Sequence, residues 1–190
     1  PRLAQVIVGD PRDPATRVSA LIDANSTTRV QTWIHSASSP ADAASGTATF
    51  PAASQQTPAT ADSGVEIIRP TVLLDPPDGQ PAWDEEIFGP VIAIRSVPDI
   101  ATAFDTVNAS RYGLHASVFT SSLETAFAAI DQLDVGGVVV NEVPGFRSDV
   151  MPYGGVKDSG TGREGPRFAI EELTTTRMAI IRPKPLSPKS

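Results

Sequence analysis

The chain has 190 residues, 40% hydrophobic and 19% charged, a composition that fits a soluble globular protein with a core rather than a disordered one. Fifteen Lys and Arg against twenty-two Asp and Glu leave a net charge of -7 with no block of like charge, which argues against a nucleic-acid partner. There is no cysteine and there are two separated histidines, His35 and His115, so a disulfide scaffold is excluded and no metal site is assigned.

No apolar run approaches the roughly 18 residues of a membrane span. The first residues also lack the charged start and hydrophobic stretch of a secretory signal, so no membrane partner and a cytoplasmic location are expected. Opening on Pro1 without an initiator Met, the chain reads as an excised, processed or incomplete product.

In chain order, Gly9-Asp10-Pro11-Arg12-Asp13-Pro14 is turn chemistry. Residues 25–38 place Val30, Trp33, Ile34 and Ala37 at helical spacing, which predicts a helix with one buried face. Residues 38–64 are mostly Ala, Ser, Thr, Pro and Gln with a lone Phe50; they bury little apolar area to offset chain entropy, and a flexible loop is expected. The apolar, β-branched runs 69–75 and 91–97, bounded by Pro, Gly and Asp, predict buried strands on either side of Glu85-Glu86-Ile87-Phe88-Gly89-Pro90.

Residues 99–109 offer Ile100, Phe104 and Val107 to one helix face with Asp99 as N-cap, and 115–120 returns as a strand. In the next helix Ser121 and Glu124 form a Ser-x-x-Glu capping box, with Phe127, Ile130 and Leu133 along one stripe. A Val-rich strand over 137–141, a Gly-rich connection, a short helix over 166–173 and a strand-like run over 177–182 complete the chain before a Pro and Lys tail. Strands alternating with helices through short connections predict an α/β fold with a layered, largely parallel sheet.

Glu86 and Phe88 are two residues apart, so in an extended segment both side chains project to one side. A carboxylate can accept hydrogen bonds from both ribose hydroxyls, and an aromatic wall can limit the swing of a flat heterocycle. The residues by themselves also fit a solvated acid pair beside a core Phe at a Gly-Pro turn. Gly160-Thr161-Gly162-Arg163-Glu164-Gly165 satisfies G-x-G-x-x-G ahead of a helix. No strand leads directly into it, however, and too little chain follows to complete a βαβ unit. The glycines therefore read as serving unusual backbone angles in a tight crossing, with Arg163 and Glu164 as an ion pair or cap.

Glu85 to Pro90, answered by Met151-Pro152-Tyr153-Gly154-Gly155-Val156-Lys157-Asp158-Ser159-Gly160, resembles the aldehyde dehydrogenase superfamily. Gly9-Asp10-Pro11, Leu21-Ile22-Asp23, Pro70-Thr71-Val72-Leu73, Asn108 with Tyr112-Gly113-Leu114, Val118-Phe119-Thr120, Val140-Asn141 and Gly162-Arg163-Glu164 agree in the family's order, so the resemblance covers nearly all of residues 6–182. Ser19-Ala20 departs from a usual Gly-Pro, and 38–64 lacks the family's Gly-Ala and Gly-Gly signposts.

The resemblance implies a partial catalytic domain over 1–176 and an oligomerisation strand with its tail over 177–190, the latter joining a homo-oligomer. It implies that Glu86 holds the nicotinamide ribose of NAD or NADP, that Phe88 contacts the ring, that Phe146 lines a substrate tunnel, and that Asn141 and Lys157 brace the loop. Residues 141–152 are similar to a subgroup acting on small polar or anionic aldehydes, and Arg147 beside Phe146 can hold a carboxylate or phosphate. The residues alone equally admit a surface arginine paired with Asp149. In the family the cysteine thiolate, the general-base Glu and the oxyanion-hole Asn all precede the Gly9-Asp10-Pro11 segment, so no catalytic residue is assigned here. The implied activity is oxidation of an aldehyde to an acid in a complete protein, with this chain inactive alone. The alternative is a non-catalytic interaction module that pairs through its terminal strand.

Overall fold

A computed structural model describes residues 3–38, 48–51, 59–60 and 66–183. Two compact units divide the chain, Pro1–Ile100 and Ala101–Ser190.

In the first unit, a short 3-10 turn at Leu3–Gln5 precedes helix α1, Ala24–Ala37. Asp23 caps α1, its Oδ1 accepting the Ser26 N–H at 2.6 Å, which satisfies one of the helix's orphan donors. The predicted apolar face forms: Val30 and Ala37 are buried, and Trp33 and Ile34 pack against the cluster of Ala37, Leu73 and Ala82. Strands β1 (Ala48–Pro51), β2 (Ala59–Thr60), β3 (Glu66–Ile67) and β4 (Thr71–Leu74) follow, then the one-turn helix α2 (Pro81–Asp84) and β5 (Val91–Ile94). The central β4 pairs with β1 antiparallel and with β5 in parallel, Thr71 opposite Val91 and Leu74 opposite Ile94. Leu73, fully buried on β4, sits at the centre of this core, with Ile87, Val91 and Ala93 against it.

The second unit takes up helix α3, Ile100–Asn108, and continues with β6 (Tyr112–Gly113), β7 (His115–Val118), α4 (Leu123–Gln132), β8 (Gly137–Val140), β9 (Val156–Lys157) and α5 (Pro166–Leu173). β7 and β8 pair in parallel from His115↔Gly137 to Val118↔Val140, and β6 pairs with β9 antiparallel. Phe104, Ala129 and Leu133 form the buried core, with Ala116, Val118, Val135 and Val138 packed around it.

The α/β class and most predicted elements are present, with strands shorter than the apolar runs that announce them. Parallel pairs are present, but the described strands form no single, largely parallel sheet. Among the described residues the strands make four small sheets, in which β4–β5 and β7–β8 are parallel and β1–β4, β2–β3 and β6–β9 are antiparallel. An apolar run specifies burial, and strand direction is set by which edge is available. The loop expected over 38–64 lies mostly outside the described residues, and its described pieces are the strands β1 and β2.

The predicted Ser121–Glu124 capping box does not form, and the N-cap is the next residue, Ser122. Ser122 Oγ accepts the Thr125 N–H at 3.2 Å, and the Ser122 N–H is itself held by Thr120 Oγ1 at 3.0 Å, which sets the turn ahead of the helix. Of the predicted apolar stripe only Leu133 is buried, together with Ala129, while Phe127 and Ile130 are exposed. On α3 only Phe104 of the predicted three is buried. Residues 177–182 form no strand: a strand needs a partner edge, none of the described strands supplies it, and Met178, Ile180 and Ile181 are exposed.

Candidate functional site

In the first unit, residues 85–90 leave α2 as an arm anchored at its middle and its end. Ile87 packs into the Leu73 core, and its carbonyl accepts from Arg29 Nη2 at 2.9 Å. The Arg29 guanidinium also lies 4.6 Å from the Trp33 ring one turn further along α1. Gly89 passes so close to α1 that an added Cβ would stand 3.1 Å from a methyl of the fully buried Val30. A glycine there lets the arm lie against the helix. The Pro90 carbonyl accepts the Thr71 N–H at 2.9 Å, tying the arm's end to β4.

With Ile87 packed against the core, Glu86 and Phe88 are both exposed, but Phe88 does not have the extended backbone from which their spacing predicts a shared side. Phe88 is 72% exposed, which rules out a core role for it in this unit. It holds a left-handed φ of 49°, uncommon for a bulky residue and of the kind met where a side chain must be presented. The Glu86 carboxylate has no hydrogen-bond or ion-pair partner among the described residues. An acceptor and an exposed ring on one short arm fit a ribose joined to a nicotinamide, so Glu86 and Phe88 are the residues that could hold NAD or NADP.

The second unit carries Phe146 and Arg147 on loop 141–150, exposed throughout. Its start is fixed by Asn141, at a left-handed φ of 60°, whose Oδ1 accepts the Thr120 N–H at 2.8 Å and whose Nδ2 donates to the Thr120 carbonyl at 2.9 Å. Halfway along, the Pro144 carbonyl meets His115 Nδ1 at 2.9 Å, a contact that assigns the ring proton to Nδ1 because a carbonyl can only accept. Phe146 is half exposed.

Arg147 lies with its guanidinium carbon 4.3 Å from the centre of the Tyr153 ring and donates from Nη2 to Glu164 Oε2 at 2.8 Å. Tyr153 stands edge-on to His115, ring centres 5.0 Å apart, and exchanges backbone hydrogen bonds with Glu164 in both directions. Further along, Lys157 has a φ of 54°; its Nζ donates to the Asn108 carbonyl at 2.8 Å and lies 3.3 Å from Asp134.

Two expected pairings are corrected here. Arg147 pairs with Glu164, the carboxylate that the backbone bridge to Tyr153 delivers, and not with Asp149. Arg163 donates to the carbonyls of Gly155 and Gly162, so it braces the glycine crossing and makes no ion pair with Glu164. That crossing does use its glycines for angles closed to other residues, with φ of 120° at Gly160, 78° at Gly162 and 120° at Gly165.

A cleft of about 210 Å³ beside it is lined by Leu114, Tyr153, Ser159, Arg163, Glu164 and Glu172. It is smaller than the roughly 300 Å³ at which ligand pockets begin, so it is not a complete substrate pocket. Among the described residues no group of three His, Asp or Glu could hold a metal ion. Two carboxyls are shifted, both in the first unit: the Arg12 side chain and N–H lower Asp10 to about 2, and the Ser26 N–H holds Asp23 below its ordinary value.

The sequence-predicted residues thus fall into two sets, Glu86 with Phe88 in one unit and Phe146 with Arg147 in the other. The sequence reading missed the roles of Tyr153, Glu164 and His115 around Arg147. Tyr153 and Glu164 stand in recognised motifs, but their contacts join positions six and 17 residues from Arg147 with no periodicity to announce them.

A family model described as the aldehyde dehydrogenase family matches residues 1–179. The 3-sulfolactaldehyde dehydrogenase of Priestia aryabhattai is 34% identical over 177 residues, covering 93% of this chain and 34% of that protein. The lactaldehyde dehydrogenase of Methanococcus aeolicus is 35% identical over 183 residues, covering 96% of this chain and 36% of its own length. Among solved structures, the glyceraldehyde-3-phosphate dehydrogenase of Methanocaldococcus jannaschii, complexed with NADP, aligns with a TM-score of 0.74 at 31% identity, over 90% of this chain and 34% of that one. The chain spans about a third of the length of the curated relatives it matches.

Proposed function

The chain belongs to the aldehyde dehydrogenase family, and from that premise we propose that it supplies the C-terminal third of an enzyme oxidising a small aldehyde to a carboxylic acid with NAD or NADP. The observation that carries the reading is the arm at 85–90, which exposes a carboxylate and an aromatic ring two residues apart while Ile87 between them packs against the core. NAD or NADP supplies the hydride acceptor when bound. Glu86 accepts hydrogen bonds from the ribose hydroxyls, and Phe88 walls the ring, so that together they orient the acceptor carbon. The anchors at Ile87 and Gly89 keep both side chains in register.

Phe146 offers the aldehyde's carbon chain an apolar wall, and Arg147 holds its polar or anionic end by charge-assisted hydrogen bonds. Support for an anionic or lactaldehyde-like substrate comes from the relatives, which are 3-sulfolactaldehyde, lactaldehyde and glyceraldehyde-3-phosphate dehydrogenases. Residues 1–176 belong on this reading to the catalytic domain, and 177–182, with Met178, Ile180 and Ile181 exposed, offer a strand to another copy. The protein is read as cytoplasmic, and no helix among the described residues is long and apolar enough to cross a membrane. The alternative, a non-catalytic interaction module, has less support, because the relatives matched through both arms are enzymes.

The family's nucleophile is a cysteine thiolate, and this sequence has no cysteine. The purified chain mixed with aldehydes and NAD or NADP is therefore expected to give no growth of reduced-cofactor absorbance; turnover proportional to protein in a clean preparation would overturn the reading. In a complete enzyme carrying these residues, Arg147→Ala should raise KM for an anionic aldehyde and leave a neutral one of equal size nearly unchanged. Equal losses would assign Arg147 to structure.

A further inference from the structure

We infer that Glu164 is a specificity-determining residue: its carboxylate occupies the Arg147 guanidinium as an internal stand-in for the anionic end of the substrate and is exchanged for it on binding. The inference rests on reading Arg147 as the anion contact. Its own grounds lie in how the pair is built.

The ion pair is real in geometry, Nη2 to Oε2 at 2.8 Å, yet both side chains are substantially exposed, 44% for Arg147 and 66% for Glu164. Water screens such a pair, and its net effect on an equilibrium is no more than about fivefold. The bond is also a single one, Nη2 to Oε2. A phosphate or sulfonate brings three oxygens and can take the guanidinium edge through two parallel bonds, so a suitable anion outcompetes a singly bonded carboxylate.

What stays in place matters as much as what leaves. The Tyr153 ring that underlies the guanidinium is held from two sides independent of the Glu164 side chain: edge-on by His115, and through the paired backbone bonds with Glu164. The platform therefore survives the exchange, and the arginine keeps its orientation while it changes partner. With a neutral aldehyde no exchange is needed, since Glu164 already neutralises the arginine. Glu164 thus sets how strongly the site must prefer an anion before binding one, and that is a specificity function distinct from holding the substrate.

The test is a titration of the isotopically labelled chain with inorganic phosphate at constant ionic strength, following arginine Nε–H signals by NMR, with the Arg147 signal assigned by its loss in Arg147→Lys. In the unmodified chain the Arg147 signal should move. In Glu164→Gln it should start displaced and titrate at a phosphate concentration about two- to fivefold lower. Asp149→Asn, which removes a nearby carboxylate that Arg147 does not contact, should titrate like the unmodified chain. Equal midpoints with and without Glu164 would overturn the inference while leaving Arg147 as the anion contact. The same gain in Asp149→Asn would reduce the effect to general charge and overturn it as well. An Arg147 signal that phosphate moves in no variant would remove Arg147 from anion recognition and the inference with it.

Discussion

The arm at 85–90 and the loop at 141–150 each present two candidate site residues, but they are held by opposite means. The arm is nailed down by apolar packing: Ile87 in the Leu73 core and Gly89 pressed on Val30, with one hydrogen bond from Arg29 added. The loop has no buried residue, and its position rests on Asn141 to Thr120, His115 to Pro144 and Arg147 to Glu164. Apolar packing is cooperative with the fold around it, whereas exposed polar ties each open separately at modest cost. A rigid mount suits a cofactor that must be oriented the same way in every turnover. On the proposed reading, an exchangeable mount suits residues that have to admit one substrate and exclude another.

The largest effect is expected at Leu73. Leu73→Ala removes a fully buried side chain from beneath the arm and should cost about 2–5 kcal/mol. Trp33 and Trp83, the chain's two tryptophans, both lie in the first unit, so denaturant unfolding followed by tryptophan fluorescence reads it directly. A midpoint unchanged from the parent would mean that the arm does not depend on that core.

For the loop, Asn141→Ala removes two hydrogen bonds to Thr120 and puts a Cβ-bearing residue without a polar side chain at φ 60°. The expected cost is about 1–2 kcal/mol, felt as local opening: exchange of the Thr120 amide should quicken by roughly tenfold, and Asn141→Gly should recover the part due to backbone angle. Unaltered Thr120 exchange would show that something else holds the loop.

The smallest effect concerns the helix on which the arm leans. Asp23 is held below its ordinary 3.8 by the Ser26 N–H, so its contribution to α1 is present above that unfolded value and is lost as pH falls through the depressed folded value. Asp23→Asn keeps an acceptor for the cap and should flatten this acid dependence. An acid limb of the same steepness in both proteins, read by tryptophan fluorescence, would place the dependence elsewhere.

The same contrast explains what could be read from the sequence. Glu86 and Phe88 are legible through the family's Glu-Ile-Phe-Gly-Pro motif, and Val30, Trp33, Ile34 and Ala37 announce the helix on which the arm rests, whereas the left-handed φ of Phe88 has no signal in the local residue types. The start of α4 lies one residue later than the Ser-x-x-Glu pattern suggests, because Ser121 and Ser122 are equally good caps by residue type and the Thr120 hydroxyl holds Ser122. Strand direction was overcalled, since apolar runs report burial and not orientation. Around Arg147, residue type and neighbourhood suggested Asp149, but a backbone bridge between Tyr153 and Glu164 brought a more distant carboxylate to it. Polar ties of this kind follow the fold and leave no pattern in the local sequence.

Whether Glu86 holds the nicotinamide ribose is decided by rapid-mixing kinetics on a complete enzyme carrying these residues. Glu86→Gln should slow the hydride-transfer step, by about tenfold or more if misplacement costs on the order of 1.4 kcal/mol, and change aldehyde binding little. A hydride rate equal to the parent's would contradict the claim and leave Glu86 an exposed carboxylate without a role in the reaction.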